Sequence, residues 1–411
     1  MYKVLFVHKD FPGQFLHLAR HLAAMPGVRV DAMASDPVQE VEGVTLHRYT
    51  MHMGGESSTH AYLVRTERAM WQGQSALAAC VLLARTGYRP DLVIGHCGWG
   101  EILFIKDLWP DVPMIGYFEF YYRGSGADVG FDPPVPVSLN ERARVRSLNL
   151  VNLLGLEAAD RGVCPTRWQR DLHPPEFQNK LTLLHEGIDT DAASPGPARP
   201  LVLADGSTLL PGQEIVTYVA RDLEPYRGFH IMMRAAAELL RARPGLHLAI
   251  AGGDGTSYGP PPDDGSTWRD RLLTELGDAL PRDRVHFLGH VPHSDFINLM
   301  RLSSAHLYLT YPFVLSWSML EAMACGVTLV ASDTGPVVEV VEHGVNGLLV
   351  PFHDPAAVAA GLMMALDMPS GRRADLRKAA RQTVIDRFDL ARSGVPGWLR
   401  MLHDDFGLPH P

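Results

Sequence analysis

SWSMLEAMACGVTLVASDTGPVVEVVEHGVNGLLV, residues 316–350, holds the alternation that decides the fold. Met319, Leu320 and Met323 recur at helical spacing before Gly326. VTLVAS (327–332) is then a run of strand length, apolar almost throughout, as expected where both sheet faces are covered. Thr334-Gly335-Pro336 reads as a helix start with Pro just inside it. Gly344 and Gly347 read as C-cap and turn glycines, and NGLLVPF (346–352) as the next strand. Helix, strand, helix, strand is the repeating unit of a parallel sheet with crossover helices.

The same pattern extends in both directions. Towards the N-terminus of this half lie EIVTYVA (214–220), LHLAIAGG (246–253), RVHFLGH (284–290) and AHLYLTYP (305–312). An earlier series comprises KVLFVH, DLVIGHC (91–97), PMIGYFEF (113–120), RGVCP and LTLLHEG, with amphipathic stretches such as QFLHLARHLAAM and RARVRSLNLVNLLGLEAADR between them. The two series are separated by DTDAASPGPARPLVLADGSTLLPGQ, which is rich in Pro, Gly, Ala and Asp and has no helical period. The expected architecture is α/β, with two Rossmann-like domains facing each other across a cleft and ligands at the carboxyl ends of the strands. Expected boundaries are 1–192, a linker at 193–212, and 213–388, with a C-terminal helix from about 389–411 packing back on the first domain.

Composition narrows the function classes. At 411 residues, two domains are the default. Thirty-seven Lys and Arg against 46 Asp and Glu give a net charge of −9, which disfavours nucleic acid or an anionic membrane as the main partner. Cys80, Cys97, Cys164 and Cys325 form no CxxC pair, which argues against a disulfide framework or zinc site and fits a reducing cytosol. The N-terminus reads as a buried strand broken by His8, Lys9 and Asp10, not as a signal peptide. The longest apolar run, SALAACVLLA (75–84), falls well short of the roughly 20 residues of a membrane span. At most peripheral membrane contact is expected.

Several residues at strand ends could carry chemistry. In HKDFPGQF, Gly13 lets the backbone approach a ligand at a helix start, or completes a tight Pro-Gly turn. RDLEPYRGFH carries Arg221 and Arg227 just past a strand, where two guanidiniums suit a diphosphate or form a solvated pair. AGGDGTSYG reads first as a glycine-rich turn and second as a phosphate cradle. His96 and Glu101 in GHCGWGE, and Glu119 in GYFEFYYRG, are ionisable groups at or just past strand ends; partial burial is expected to raise the pKa of Glu119 and suit it to proton transfer. Glu321 has two readings. SMLE matches a capping box in which Glu321 reaches back to Ser318, whereas Ser316 as N-cap frees Glu321 to face a ligand. No apolar-flanked DxD, GxSxG, HExxH or Walker pattern occurs, so no metal site is expected.

The ordered series RDLEPYRG, AGGDG, VHFLGHV and then 316–350 resembles the retaining family-4 glycosyltransferases of GT-B fold (glycosyl transferases group 1). The resemblance covers nearly all of the second half, and the first half more loosely through FPGQF. It implies that Arg221 and Arg227 hold the donor diphosphate, with Arg227 where the family has Lys. It implies that Glu321 grips the nucleotide ribose, that Gly13 lies near the donor phosphate, and that Thr334 and Gly335 begin a helix beside the donor. Two positions depart from the family. Phe313 replaces the first glutamate of the Glu-seven residues-Glu motif, and Glu119 stands where a sugar-facing His is common. Phe313, Ser316 and Trp317 therefore mark the expected donor-sugar pocket, while Glu119 and His96 are the expected catalytic residues.

The implied activity is metal-independent, retaining transfer of a sugar from a UDP- or GDP-type donor to an acceptor hydroxyl. The nucleotide sugar is a substrate and no cofactor is expected. The acceptor class is a glycan, a lipid-linked molecule or a small molecule. A nucleotide-sugar epimerase and a non-catalytic nucleotide- or glycan-binding relative are the alternatives.

Overall fold

The computed structural model describes residues 1–35, 39–54, 59–132, 136–204 and 206–410. The chain divides into two compact units, Met1–Gly187 with Leu390–Pro411, and Ile188–Asp389.

The first unit is built on a parallel sheet of β1 (Tyr2–Val7), β2 (Val28–Ala34), β3 (Val44–Arg48), β4 (Leu92–His96), β5 (Met114–Tyr117), β6 (Arg161–Cys164) and β7 (Leu181–Leu183). Its order is β3-β2-β1-β4-β5-β6-β7. Alternate residues of β1 serve the two faces: Val4 and Phe6 enter one core, Leu5 and Val7 the other. Burial on both faces is why the central strands read as continuous apolar runs. The C-terminal helix Val395–Phe406 belongs to this unit, burying Trp398, Met401 and Leu402 beside Phe15 and Leu18.

Two strands, β2 and β3, lie outside the expected set. In β2, VRVDAMA, Asp31 is fully buried and accepts hydrogen bonds from Arg29 at 2.9 and 2.8 Å, with His47 Nε2 of β3 at 2.8 Å. The paired charges interrupt the hydropathy that marks the other strands. β3 is short and only partly covered, as an edge strand is.

In the second unit a parallel sheet runs β12-β11-β10-β13-β14-β15. Its strands are β10 (Ile215–Asp222), β11 (His247–Gly253), β12 (Val285–Gly289), β13 (Ala305–Tyr308), β14 (Leu329–Ser332) and β15 (Leu348–Val350). The expected linker is corrected here. A small antiparallel pair, β8 (Leu201–Val202) with β9 (Thr208–Leu209), falls within 193–212, and Ala193, Leu203 and Leu209 are buried in the second core. Residue 205 lies outside the described residues. Pro- and Gly-rich composition marks irregular backbone, but irregular backbone can still pack.

Each sheet reverses its strand order beside its first strand, between β1 and β4 and between β10 and β13. Side chains leaving the carboxyl ends of such neighbours diverge around a crevice, the usual ligand position in an open α/β sheet. The singled-out residues lie on the segments that leave these ends.

Candidate functional site

In the first unit, a directed set of hydrogen bonds surrounds Glu119. His8, the residue after β1, is buried and accepts the Asp10 N–H at Nδ1 (3.0 Å). That contact places the ring proton on Nε2, which donates to Gln14 Oε1 at 3.0 Å. Gln14 Nε2 in turn donates to Glu119 Oε1 at 3.2 Å. His96, ending β4, is oriented in the same way. Its Nδ1 accepts the Gly98 N–H at 3.0 Å, and its buried Nε2 lies 3.6 Å from Glu119 Oε2. The Glu119 backbone carbonyl accepts from Gln169, and Asn149 and Asn152 hold the chain at Tyr122 and Phe120, so the loop carrying Glu119 is pinned.

The electrostatics correct one expectation. Burial alone would raise the Glu119 pKa, but His96 and the Gln14 amide outweigh it and leave the carboxyl below its ordinary value. Glu119 is an anion with a third of its side chain exposed, an acceptor for hydroxyl groups and not a proton donor at neutral pH. Glu101 has the raised value instead. It is fully buried, and although Oε1 accepts the Lys9 N–H at 2.7 Å, Oε2 has no partner; burial pushes its pKa up to about 7. Burial also pushes His8 down to about 3, in keeping with its neutral, directed ring.

Gly13 begins a single 3-10 turn, Gly13–Phe15, at φ +47°. A Cβ there would meet His8 Nε2 at 2.6 Å. Its smallness makes room for the His8–Gln14 contact, a requirement that neither a turn nor a ligand reading anticipates.

In the second unit the decisive residue is Arg227. It sits in the turn Pro225–Arg227 after β10 and is buried, with Nη1 donating to Thr310 Oγ1 (2.8 Å), the Val314 carbonyl (3.1 Å) and Tyr308 Oη (3.3 Å). Its guanidinium lies over the Tyr258 ring, 5.1 Å from the centroid. All three oxygens are neutral. Among the described residues no carboxylate pairs directly with Arg227, although its charge acts on the buried Glu224, whose own hydrogen bonds go to backbone amides. Gly228 follows at φ +70°, where a Cβ would meet Leu309 Cβ at 2.4 Å, so the turn closes only with glycine. Arg221, at the end of β10, is exposed and has no ion-pair partner among the described residues.

The AGGDG loop is a turn around internal acids. The amides of Ser257, Tyr258 and Gly259 all donate to the fully buried Glu224 (2.8–3.2 Å), and Ser257 Oγ donates to Asp222. These amides are occupied by carboxylates, which removes the cradle reading for them.

The helix Trp317–Ala324 starts at Ser316, whose Oγ accepts the Ser318 N–H at 3.3 Å. The SMLE capping box does not form. Glu321 instead pairs with His293 Nε2 at 2.6 Å, the first residue of the helix His293–Leu302. The carboxylate raises the His293 pKa. Phe313 does not offer an open aromatic face. It is buried, edge-on to Tyr226 at 5.7 Å and tilted against Tyr258 at 5.1 Å. Trp317 is 43% exposed. Thr334 is the N-cap residue of the four-residue helix Gly335–Val338, with Pro336 inside it, but its side chain makes no cap bond; its Oγ1 lies 3.1 Å from Ser332 Oγ.

The structure thus groups Gly13, His96 and Glu119 in the first unit. In the second, it joins Arg227 to the 308–316 segment and Glu321 to His293. Sequence reading overlooked His8, Gln14, Tyr308, Thr310 and His293. His8 and Gln14 flank the Pro-Gly turn already singled out and could have been found there. His293 stands 28 residues from Glu321 and leaves no local signal.

Comparison with known proteins now decides the family. Residues 26–193 match the glycosyl transferase family 4 group, and residues 205–383 match the glycosyl transferases group 1. The D-inositol 3-phosphate glycosyltransferase of Mycobacterium tuberculosis is 33% identical over 382 residues, 89% of this chain and 72% of that protein. The chain belongs to the family 4 glycosyltransferases. Another protein of that name, from Acidothermus cellulolyticus, is 31% identical over 59% of the chain, and the match spans about half (53%) of the relative. Among solved structures, sucrose-phosphate synthase from Thermosynechococcus elongatus superposes with a TM-score of 0.71 at 19% identity, covering 98% of each chain. HepE from Anabaena, solved with UDP and glucose, gives 0.69 at 17% identity, covering 98% of this chain and 100% of that one. This family 4 glycosyltransferase therefore has the GT-B fold, two Rossmann-like domains each built on a parallel sheet, and is an enzyme of the nucleotide-sugar-dependent class.

Proposed function

We propose that this glycosyltransferase is retaining and metal-independent, moving a sugar from a UDP- or GDP-type donor to an acceptor hydroxyl. The observation that carries the reading is Arg227, a buried guanidinium at a strand-order switch point with neutral oxygens on one nitrogen and no carboxylate in direct contact, the nearby Glu224 being hydrogen-bonded to backbone amides instead. An incoming diphosphate supplies a direct counter-charge. Arg221, exposed at the same strand end, adds a second cation, so the charge on the leaving group is offset by side chains. Glu321 accepts ribose hydroxyls, sharing its carboxylate with His293. Thr334 and Gly335 flank the donor, with Ser316 and Trp317 on its sugar side. Glu119, oriented by Gln14 and His96, accepts hydrogen bonds from sugar or acceptor hydroxyls. The leaving phosphate, not Glu119, takes the acceptor proton in a front-face displacement.

The test is a thermal-shift panel of UDP, GDP and ADP on wild type, Arg227→Ala and Arg227→Lys, with UDP first because HepE was solved with it. Nucleotide should raise the wild-type Tm, Arg227→Ala should abolish the rise, and Arg227→Lys should restore part of it. No rise in wild type for any nucleotide rejects the diphosphate site. Transfer assayed with and without excess EDTA should agree within about twofold, since mutagenesis of such electrostatic groups typically moves rates far more than that.

A further inference from the structure

We infer that an exposed Leu–Arg face of the first unit, carried by the helices Leu139–Leu148 and Leu150–Ala158, docks on an anionic lipid surface. The two helices follow one another through Asn149, whose backbone is still helical, so their periodicity continues across the joint. Leu139, Arg142, Arg146, Leu150, Leu153 and Leu154 recur at three- and four-residue spacing and are all exposed, Leu139 to 85% and the other leucines by at least 36%. Positions 145, 148, 151, 152, 155 and 156 are buried beneath them. Singly exposed leucines need no explanation, but a stripe of four on one helical face does.

A second element extends the face. The start of the helix Val64–Arg85 is tied to the first of these helices, with Ser147 Oγ donating to the Tyr62 carbonyl at 2.9 Å and Tyr62 Oη to the Asn140 carbonyl at 3.1 Å. Leu63 and Val64 are exposed there, and so are Arg65 and Arg68.

Charge identifies the occupant. Arg65, Arg68, Arg142 and Arg146 have no salt-bridge partner among the described residues, while the half-buried Glu67 between the first two accepts a hydrogen bond from Thr59, Glu141 is paired with Arg144 within its own helix, and Glu157 is exposed at the far end of the stripe, so cations outnumber acids on the face. The patch is cationic in a chain of net charge −9. An anionic surface would attract this face and repel the remainder, so charge alone selects one docking orientation. Arginine stems lie along apolar surface while their heads reach phosphates, and leucines between them enter the acyl boundary. Self-association through the same patch would bring like charges together across a two-fold axis. No helix among the described residues is long and apolar enough to cross a membrane, so the association is interfacial. The inference does not rest on Arg227, Arg221 or Glu321, which lie on the other unit.

The experiment is co-flotation of the full chain with phosphatidylcholine vesicles, with or without about a quarter phosphatidylglycerol. Wild type should partition onto the anionic vesicles about tenfold more than onto the neutral ones, and less at high salt. Two surface variants separate the contributions, Arg142→Glu with Arg146→Glu, and Leu139→Ser with Leu153→Ser. Each should lower partitioning about tenfold or more, while an unchanged Tm and nucleotide response report an intact fold. Failure of wild type to float with anionic vesicles overturns the inference. Loss in the arginine pair alone, with the leucine pair unchanged, also overturns it, as simple adsorption. A dimer by light scattering that the leucine pair dissociates, without lipid binding, assigns the face to a second copy and overturns it as well.

Discussion

Glu101 and Glu119 both lie near His96, yet they are held in opposite states. Glu119 is surrounded by donors and stays ionised, while Glu101 has one backbone donor and an unpartnered oxygen in a buried site. For Glu101 the folded pKa, about 7, exceeds the ordinary carboxylate value, so stability is lost as pH climbs from that value through about 7. Glu101→Gln keeps an acceptor for the Lys9 N–H and removes the titration. Its stability relative to wild type should therefore rise between about pH 5 and pH 8, by on the order of 3 kcal/mol, in urea denaturation at the two pH values. A pH-independent difference would show that Glu101 does not titrate there. His293 has the opposite linkage. Glu321 raises its pKa, so the pair stabilises the fold fully below the unfolded histidine value of about 6.5 and stops doing so as pH rises through the folded value. His293→Ala should lower the Tm more near pH 6 than near pH 9. Because His293 is largely exposed, solvent screens the effect and it should be small.

At the scale of the element, the start of the helix Trp317–Ala324 separates two sequence readings that looked alike. Both Ser316 and Ser318 match a cap, but only Ser316 has extended backbone (φ −85°, ψ 142°) and accepts an amide. Ser316→Ala should destabilise the second unit by about 1 kcal/mol, and Ser318→Ala by well under half of that, measured by denaturation. Equal effects would restore the capping box. The same helix leaves Glu321 a turn beyond the cap, where its carboxylate is available to His293 and to a ligand. The element was legible in the sequence because the apolar spacing specified it. Its first residue was not, because two serines two positions apart satisfy the same local pattern.

At the scale of the whole molecule, the chain returns to its first unit at Leu390 and inserts Trp398 into the core against Phe15, at a ring separation of 6.5 Å. Trp398→Ala should cost about 3–5 kcal/mol, as truncation of a fully buried aromatic does. Hydrogen exchange should then show β1 and the helix Leu16–Ala23 losing protection while β10 to β15 keep theirs. Uniform loss across the chain would refute independent cores. The sheets themselves were largely readable, since strands buried on both faces must be apolar throughout. β2 was hidden by Asp31, a buried charge made tolerable by Arg29 and His47 from outside the local window. The stretch 193–212 was misread because composition reports backbone regularity better than burial.

The sequence by itself determined the fold class, the two-unit organisation of the alternation, the positions of Arg221, Arg227, His96 and Glu119 at or just past strand ends, and that of Glu321 on a short helix. Those are consequences of hydrophobic period and of turn chemistry, which act over a few residues. Tertiary structure alone decided the electrostatic states. Glu119 is an anion because His96 and Gln14 reach it from β4 and from the loop after β1, and Arg227 contacts no acid directly because the oxygens around it come from β13 and the segment that follows. Charge state depends on partners brought together from distant parts of the chain, and no local pattern encodes them.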